Sequence, residues 1–309
     1  NLTTEEASLL CREINERVKL EGANFWFKNT VGHRGVLVIR SEEGKLSGFV
    51  TNTDPAYERR GVFGVAKARF EDVLLRCEPM EGHETPEARR AAELTNQFTE
   101  RSREVLAASE VNKGRIARGK LPANVIVSRD AGDRLPSFPK LRETSGLRLG
   151  SFVEMPVEKG IALLTGMEVV ELRLEGNVEH DYPLQAERAI QELDRFDGLY
   201  IHIKGPDVPG HDGDVEGKRR SIEKIDSLFF GPLLRRLDLS KTVVTVTADH
   251  STPCALKAHS ADPVPLLIAG AGVEPDGLRS FGEGPCRKGS IGTIVGPELM
   301  PMLVEQVKR

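Results

Sequence analysis

Apolar positions recur at two different periods along the chain, and the change of period divides it. Thr3 or Thr4 followed by Glu6 reads as a capping box ahead of Leu9, Leu10, Ile14 and Val18, which predicts a helix over 4–20. Two short apolar stretches, 35–39 and 46–50, are joined by Glu42-Glu43-Gly44-Lys45 and predict a β-hairpin. Residues 51–83 hold no sustained period and read as loop. Pro86 opens an amphipathic helix to about 108, with Ala91, Leu94, Phe98 and Leu106 on its apolar face. The basic, glycine-broken stretch 112–120 reads as a solvated loop, 124–127 as a short strand, and 128–148 as a linker holding Gly132, Pro136, Pro139 and Gly146.

Beyond the linker, short apolar runs alternate with helices. Strands are predicted at 169–172, 199–203, 243–246 and 264–268, and helices at 184–196, 214–237 and 297–307. Continuous β-branched runs separated by helices predict a parallel sheet covered on both faces. The expected organisation is therefore an α+β unit over 1–136 followed by an α/β unit over 137–309, without internal repeats.

Composition narrows the function classes. The 309 residues fit about two domains at ~150 residues each. With 39% hydrophobic and 29% charged residues the chain reads as an ordinary globular protein. A formal net charge of −4 argues against a dedicated nucleic-acid binder, and no apolar run reaches the ~18 residues of a membrane span. Four scattered cysteines (Cys11, Cys77, Cys254, Cys286) without a C-x-x-C pair read as reduced thiols of a cytoplasmic protein.

Candidate chemistry gathers at three predicted strand ends, where open α/β sheets bind ligands. Asp207 and His211 stand four apart after the strand ending at Ile203, Asp249 and His250 leave the strand 243–246 side by side, and His259 precedes the strand 264–268. Any one of them is ordinarily a solvated turn residue. Five at three such ends point to a divalent-cation site, because carboxylate and imidazole together suit Mn²⁺ or Zn²⁺. Adjacent Asp249 and His250 point in opposite directions if the backbone is extended, which suits two neighbouring ions.

The segments Lys-Gly-Pro-Asp-x-x-Gly-His at 204–211, Thr-Ala-Asp-His-Ser-Thr-Pro at 247–253 and His-Ser-Ala-Asp-Pro-Val-Pro at 259–265 resemble the alkaline phosphatase superfamily. More narrowly, they are similar to the archaeal-type 2,3-bisphosphoglycerate-independent phosphoglycerate mutases, together with Gly-His-Arg at 32–34, Leu-Pro-Ala-Asn at 121–124, the run 205–217 and Leu299-Met300-Pro301. The resemblance implies an alkaline-phosphatase-like parallel-sheet sandwich with an inserted α+β domain. It implies two divalent ions, typically manganese, with zinc, cobalt or magnesium as alternatives. One would be held by Asp207, His211 and His259 and the other by Asp249 and His250. A phosphoserine intermediate would carry the phosphoryl group between the hydroxyls of glycerate. Arg34 and Arg129, supported by Asn124 and Asp54, are the candidates for gripping substrate in the first unit, and Lys159 and Lys204 offer point charges to phosphate in the second.

The family opens with a strand ending in Asp-Gly and then the nucleophilic serine, and nothing in residues 1–30 resembles either. The expectation is that the chain is part of a longer polypeptide, with the serine and a further ligand upstream of Asn1. Ser251, directly after two ligands, has poor reach as a substitute. Two further departures are Ala56, where the family carries histidine, and Asp130, where it carries glycine. The expected activity is interconversion of 3- and 2-phosphoglycerate. The alternatives are a metal-dependent phosphatase or phosphodiesterase of the same superfamily, or an inactive relative acting as a binding protein.

Overall fold

The computed structural model describes residues 2–60, 63–67 and 69–308. Two compact units are present, Asn1–Pro136 and Ser137–Arg309.

In the first unit, α1 (Thr4–Arg17) begins at the capping box: Glu6 N–H donates to Thr3 Oγ1 and Thr3 N–H to Glu6 Oε2, both at 3.2 Å. Its apolar stripe of Leu10, Ile14 and Val18 packs on Phe98, Val105 and Leu106 of α2 (Pro86–Ala107), with Thr85 as N-cap. The hairpin differs from the expectation. β1 (Ala23–Asn29) pairs antiparallel with β2 (Gly35–Ser41), while Val50 forms only an isolated bridge to Pro79. The alternation Phe25, Phe27 turns two rings inward onto Phe98, at centroid distances of 5.2 and 5.7 Å, which the 46–50 stretch does not do.

The stretch 51–83 is not wholly irregular, since β3 (Tyr57–Arg60) pairs antiparallel with β4 (Phe63–Ala66); residues 61, 62 and 68 of that stretch lie outside the described residues. The basic 112–120 stretch is also not a loop. Most of it lies in α3 (Glu110–Ala117), capped by Ser109, with Asn112 and Arg115 buried. The predicted strand at 124–127 has no regular structure. The backbone on either side of it is held by side chains: Asn112 Nδ2 donates to Ala123 O at 2.9 Å while Asn112 Oδ1 accepts from Ala123 N–H at 2.8 Å. Ser128 N–H donates to Thr53 Oγ1 at 2.7 Å.

The second unit opens with α4 (Leu141–Ser145), inside the stretch read as linker, followed by β5 (Leu149–Phe152), a strand the apolar pattern does not flag. After α5 (Pro156–Thr165) come β6 (Glu168–Val169), α6 (Val178–Glu192) and β7 (Gly198–Ile201). The strands lie in the order β6-β5-β7, all parallel. α6 starts before the predicted 184 because Asn177 caps it, accepting from Glu179 N–H at 3.2 Å, and Pro183 is accommodated inside the helix. The predicted helix 214–237 is three pieces in one run: α8 (Val215–Lys224), a π-helical turn over Ile225–Phe230, and α9 (Gly231–Arg236). Pro232 has no N–H to continue an α-ladder, and the wider turn before it absorbs the mismatch. A short helix α7 (Asp207–Asp212) precedes this run.

β8 (Val243–Val246) and β9 (Leu267–Gly270) correct the expectation of a uniformly parallel sheet, because they pair with each other antiparallel. Among the described residues no helix lies between them, whereas parallel neighbours are usually joined through a crossover helix. Two short helical segments close the chain, α10 (Glu283–Cys286) and α11 (Gly296–Lys308). The core of this unit gathers Phe152, Val170, Tyr182, Ala186, Ala189, Phe196, Phe229 and Leu233. Among the described residues no helix is long and apolar enough to cross a membrane.

Candidate metal centre

β7 ends at Ile201, and the Gly205-Pro206 turn delivers the chain into α7. One helical turn places Asp207 and His211 on a common face, Nε2 of the histidine 3.5 Å from Asp207 Oδ1. After β8, residues 247–266 fold back on themselves through a bridge between Ser251 and Ser260. That closure stacks the rings of His250 and His259 at 3.8 Å and 28°. His259 Nε2 then lies 3.1 Å from His211 Nε2 and 3.6 Å from Asp207 Oδ1. Asp249 Oδ2 stands 3.2 Å from His250 Nε2. Asp207, His211, His250 and His259 thus meet in one patch, and Asp249 joins it through His250. Asp207, His250 and His259 each offer a ligand atom within 4.8 Å of the others.

Hydrogen bonds orient these groups. His211 Nδ1 is 3.2 Å from the carbonyl of Lys257, whose backbone has φ 52°. A carbonyl only accepts, so Nδ1 carries the proton and Nε2 of a neutral ring faces the cluster with a lone pair. Gly210 permits the approach of α7 to the fold-back: a Cβ there would come within 2.7 Å of Thr252 O.

Burial alone would raise the Asp207 carboxyl, but hydrogen bonds from Lys204 and Thr252 outweigh it and hold the group at about 2. His259 is lowered, first by burial and then by neighbouring His250, against the opposing pull of Asp207. Both groups are therefore in their ligating forms at neutral pH, a carboxylate and a neutral imidazole. Lys204 Nζ stands 2.7 Å from Asp207 Oδ2, already placing positive charge on that carboxylate. A donor set of carboxylates and imidazoles, with ring nitrogens converging on one carboxylate oxygen, fits a divalent cation.

The other candidates are placed differently. Lys204 is engaged by Asp207, and Lys159 by Glu171 at 2.5 Å, beside a cavity of about 50 Å³ that Glu154 and Gln185 also line. In the first unit, Arg34 lies in the exposed turn between β1 and β2. Arg129 covers the face of Tyr57, its guanidinium carbon 3.5 Å from the ring centroid. Both act on His33, whose pKa falls through burial and then through the charges of Arg34 and Arg129. Asn124 is exposed in the irregular stretch, and Asp54 spends Oδ1 on its own turn, accepting from Ala56 N–H at 2.9 Å. Sequence reasoning did not single out His33, Tyr57, Lys257 or Thr252. Only His33 and Thr252 carried any signal, as members of the Gly-His-Arg and Asp-His-Ser-Thr segments.

Comparison with known proteins decides the family. The model described as 2,3-bisphosphoglycerate-independent phosphoglycerate mutase matches residues 1–112, and that of the metalloenzyme superfamily matches residues 96–306. A 2,3-bisphosphoglycerate-independent phosphoglycerate mutase of Aeropyrum pernix is 42% identical over 304 residues, covering 96% of this chain and 70% of its own length. The chain belongs to this mutase family. A mutase of Thermococcus kodakarensis is 34% identical across 100% of this chain and again 70% of its own length. Among solved structures, a protein of Pyrococcus horikoshii superposes with a TM-score of 0.72 at 27% identity, covering 99% of this chain and 70% of that one. The cofactor-independent phosphoglycerate mutase of Thermoplasma acidophilum gives 0.56 at 25% identity, covering 98% of this chain and 70% of that one. The fold is accordingly the α/β metalloenzyme fold, and the enzyme class is isomerase. The chain spans about 70% of the length of the curated mutases it matches.

Proposed function

We propose that the polypeptide carrying this chain interconverts 3-phosphoglycerate and 2-phosphoglycerate through a phosphoserine intermediate on a two-metal site, and that it works in the cytoplasm. Asp207, His211 and His259 would hold one ion and Asp249 with His250 the second, manganese being the expected metal. The observation that carries this is the meeting of Asp207, His211, His250 and His259 in a chain that belongs to the mutase family. Bound divalent ions supply charge neutralisation on phosphoryl oxygens and lower the pKa of an attacking hydroxyl.

The chain's own residues would do the rest. Arg34 and Arg129 grip carboxylate or phosphate with paired N–H donors, and Asn124 and Asp54 supply polar contacts beside them. Lys204 and Lys159 offer ammonium charges once released from Asp207 and Glu171. Holding glycerate while water is kept out favours transfer over hydrolysis. No residue of this chain is assigned the serine's role, so the assay uses the complete polypeptide that carries these residues.

Conversion of 3-phosphoglycerate is coupled to enolase and followed with and without chelation. Activity should vanish on stripping metal, return with Mn²⁺, and be lost in His211→Ala while the far-ultraviolet spectrum is kept. Release of inorganic phosphate without 2-phosphoglycerate would overturn the mutase reading in favour of a phosphatase. Arg129→Ala should raise hydrolysis relative to transfer, and an unaltered ratio removes Arg129 from the site.

A further inference from the structure

Thr252 is 3% exposed and touches both ligand sets at once. Its hydroxyl lies 2.8 Å from Asp207 Oδ1 and 3.1 Å from His250 Nδ1. Its carbonyl accepts from Lys218 Nζ at 2.8 Å, which ties the residue to α8. On the remaining side it is packed against α7, where only a glycine at 210 leaves room.

A threonine hydroxyl has one proton to donate and lone pairs to accept with, whereas a carboxylate only accepts. The O–H is therefore directed at Asp207. What it turns towards His250 Nδ1 is a lone pair, so the interaction at 3.1 Å requires the proton to be on Nδ1. In a neutral ring this leaves the lone pairs of Nε2 and Asp249 Oδ2 facing each other at 3.2 Å, a repulsive contact that a cation bound to both would relieve.

We propose that Thr252 is a positioning residue that couples the two ligand sets: its hydroxyl orients Asp207 and fixes His250 as the Nδ1–H tautomer, so that Nε2 is the nitrogen offered to a cation together with Asp249. The inference rests on the metal reading above. It adds a group outside the ligand list, and it predicts which nitrogen of His250 binds.

Two measurements test it without relying on turnover. In protein loaded with diamagnetic Zn²⁺, a long-range ¹H–¹⁵N spectrum assigned with His250→Gln should show His250 Nδ1 as the protonated nitrogen and Nε2 as the metal-bound one. In Mn²⁺ titrations followed by electron paramagnetic resonance, Thr252→Val should weaken binding about 10–100-fold, the usual scale for removing an outer partner of a metal ligand. Thr252→Ser, which keeps the hydroxyl, should keep both the tautomer and the affinity. The proposal is overturned if the wild-type ring has its proton on Nε2, or if Thr252→Val binds Mn²⁺ as tightly as wild type. Should the valine variant fail to fold, the wild-type spectrum and Thr252→Ser decide, since loss of the tautomer in the serine variant contradicts the hydroxyl's role. Wild-type protein that binds no Mn²⁺ refutes the metal reading itself, a result distinct from tight binding that is indifferent to Thr252.

Discussion

Asn112 shows what one buried polar side chain can determine. It is 2% exposed, and its amide serves Leu106 O at 2.8 Å as well as both backbone groups of Ala123. These bonds stand in for a strand partner along the stretch that leads to Asn124 and Arg129. Asn112→Ala leaves those backbone groups unsatisfied and should cost about 1–3 kcal/mol in denaturant unfolding. A loss within experimental error of zero would show that water replaces the amide. Cys77 supplies a second expectation at this scale. Burial pushes its thiol up to about 11, and its Sγ donates to Thr51 O at 3.2 Å. Native protein treated with iodoacetamide at pH 8 should therefore be labelled at the partly exposed Cys254 and Cys286 well before Cys77. Peptide mass mapping reads the order.

At the scale of elements, the start of α6 is latched by a carboxylate. Asp181 accepts from Glu175 N–H at 3.0 Å and Gly176 N–H at 2.8 Å, with His180 Nδ1 at 3.1 Å. Burial pushes its pKa up, yet the bonds from Glu175, His180 and Gly176 prevail and the net shift is downward. A lowered folded-state pKa means stability that is fully present above the ordinary aspartate value and lost as pH falls below it through the depressed folded-state value. Asp181→Asn should be less stable at pH 7 and lose less on acidification to pH 3; equal acid sensitivity of the two proteins would contradict the latch. The Asn177 cap and the π-helical turn before Pro232 belong to the same scale. Each is written in a local residue, but its consequence for where a helix begins or widens depends on neighbours the periodicity does not contain.

At the scale of the whole molecule, the two units carry separate cores, one around Phe98, Ile14 and Leu10 and the other around Phe152, Tyr182 and Phe229. Phe98 of α2 is 1% exposed, packed against α1 and β1, so Phe98→Ala should cost about 3–5 kcal/mol by cavity formation. Metal should also be felt globally. Mn²⁺ at 100 times its dissociation constant stabilises by about 2.7 kcal/mol when the unfolded chain does not bind it, so the melting temperature should rise with Mn²⁺ and fall back on chelation. A melting temperature indifferent to both would count against a metal held by the folded state.

The amino-acid order alone determined the helices whose caps and stripes are local, α1 from Thr3 and Glu6 and α2 from Pro86 and its apolar face, because capping and 3.6-residue periodicity act within a few positions. It also marked aspartate and histidine at strand ends and carried the motifs of the mutase family. Tertiary structure decided which strands pair: β1 rather than 46–50 partners β2, since Phe25 and Phe27 reach Phe98 some seventy positions away, and β9 runs against β8. It likewise decided that His211 and His259 face each other at 3.1 Å, and that Thr252 stands between Asp207 and His250. Such contacts arise from chain closure over long loops, a free energy summed over the whole core, and no local window of residues contains it.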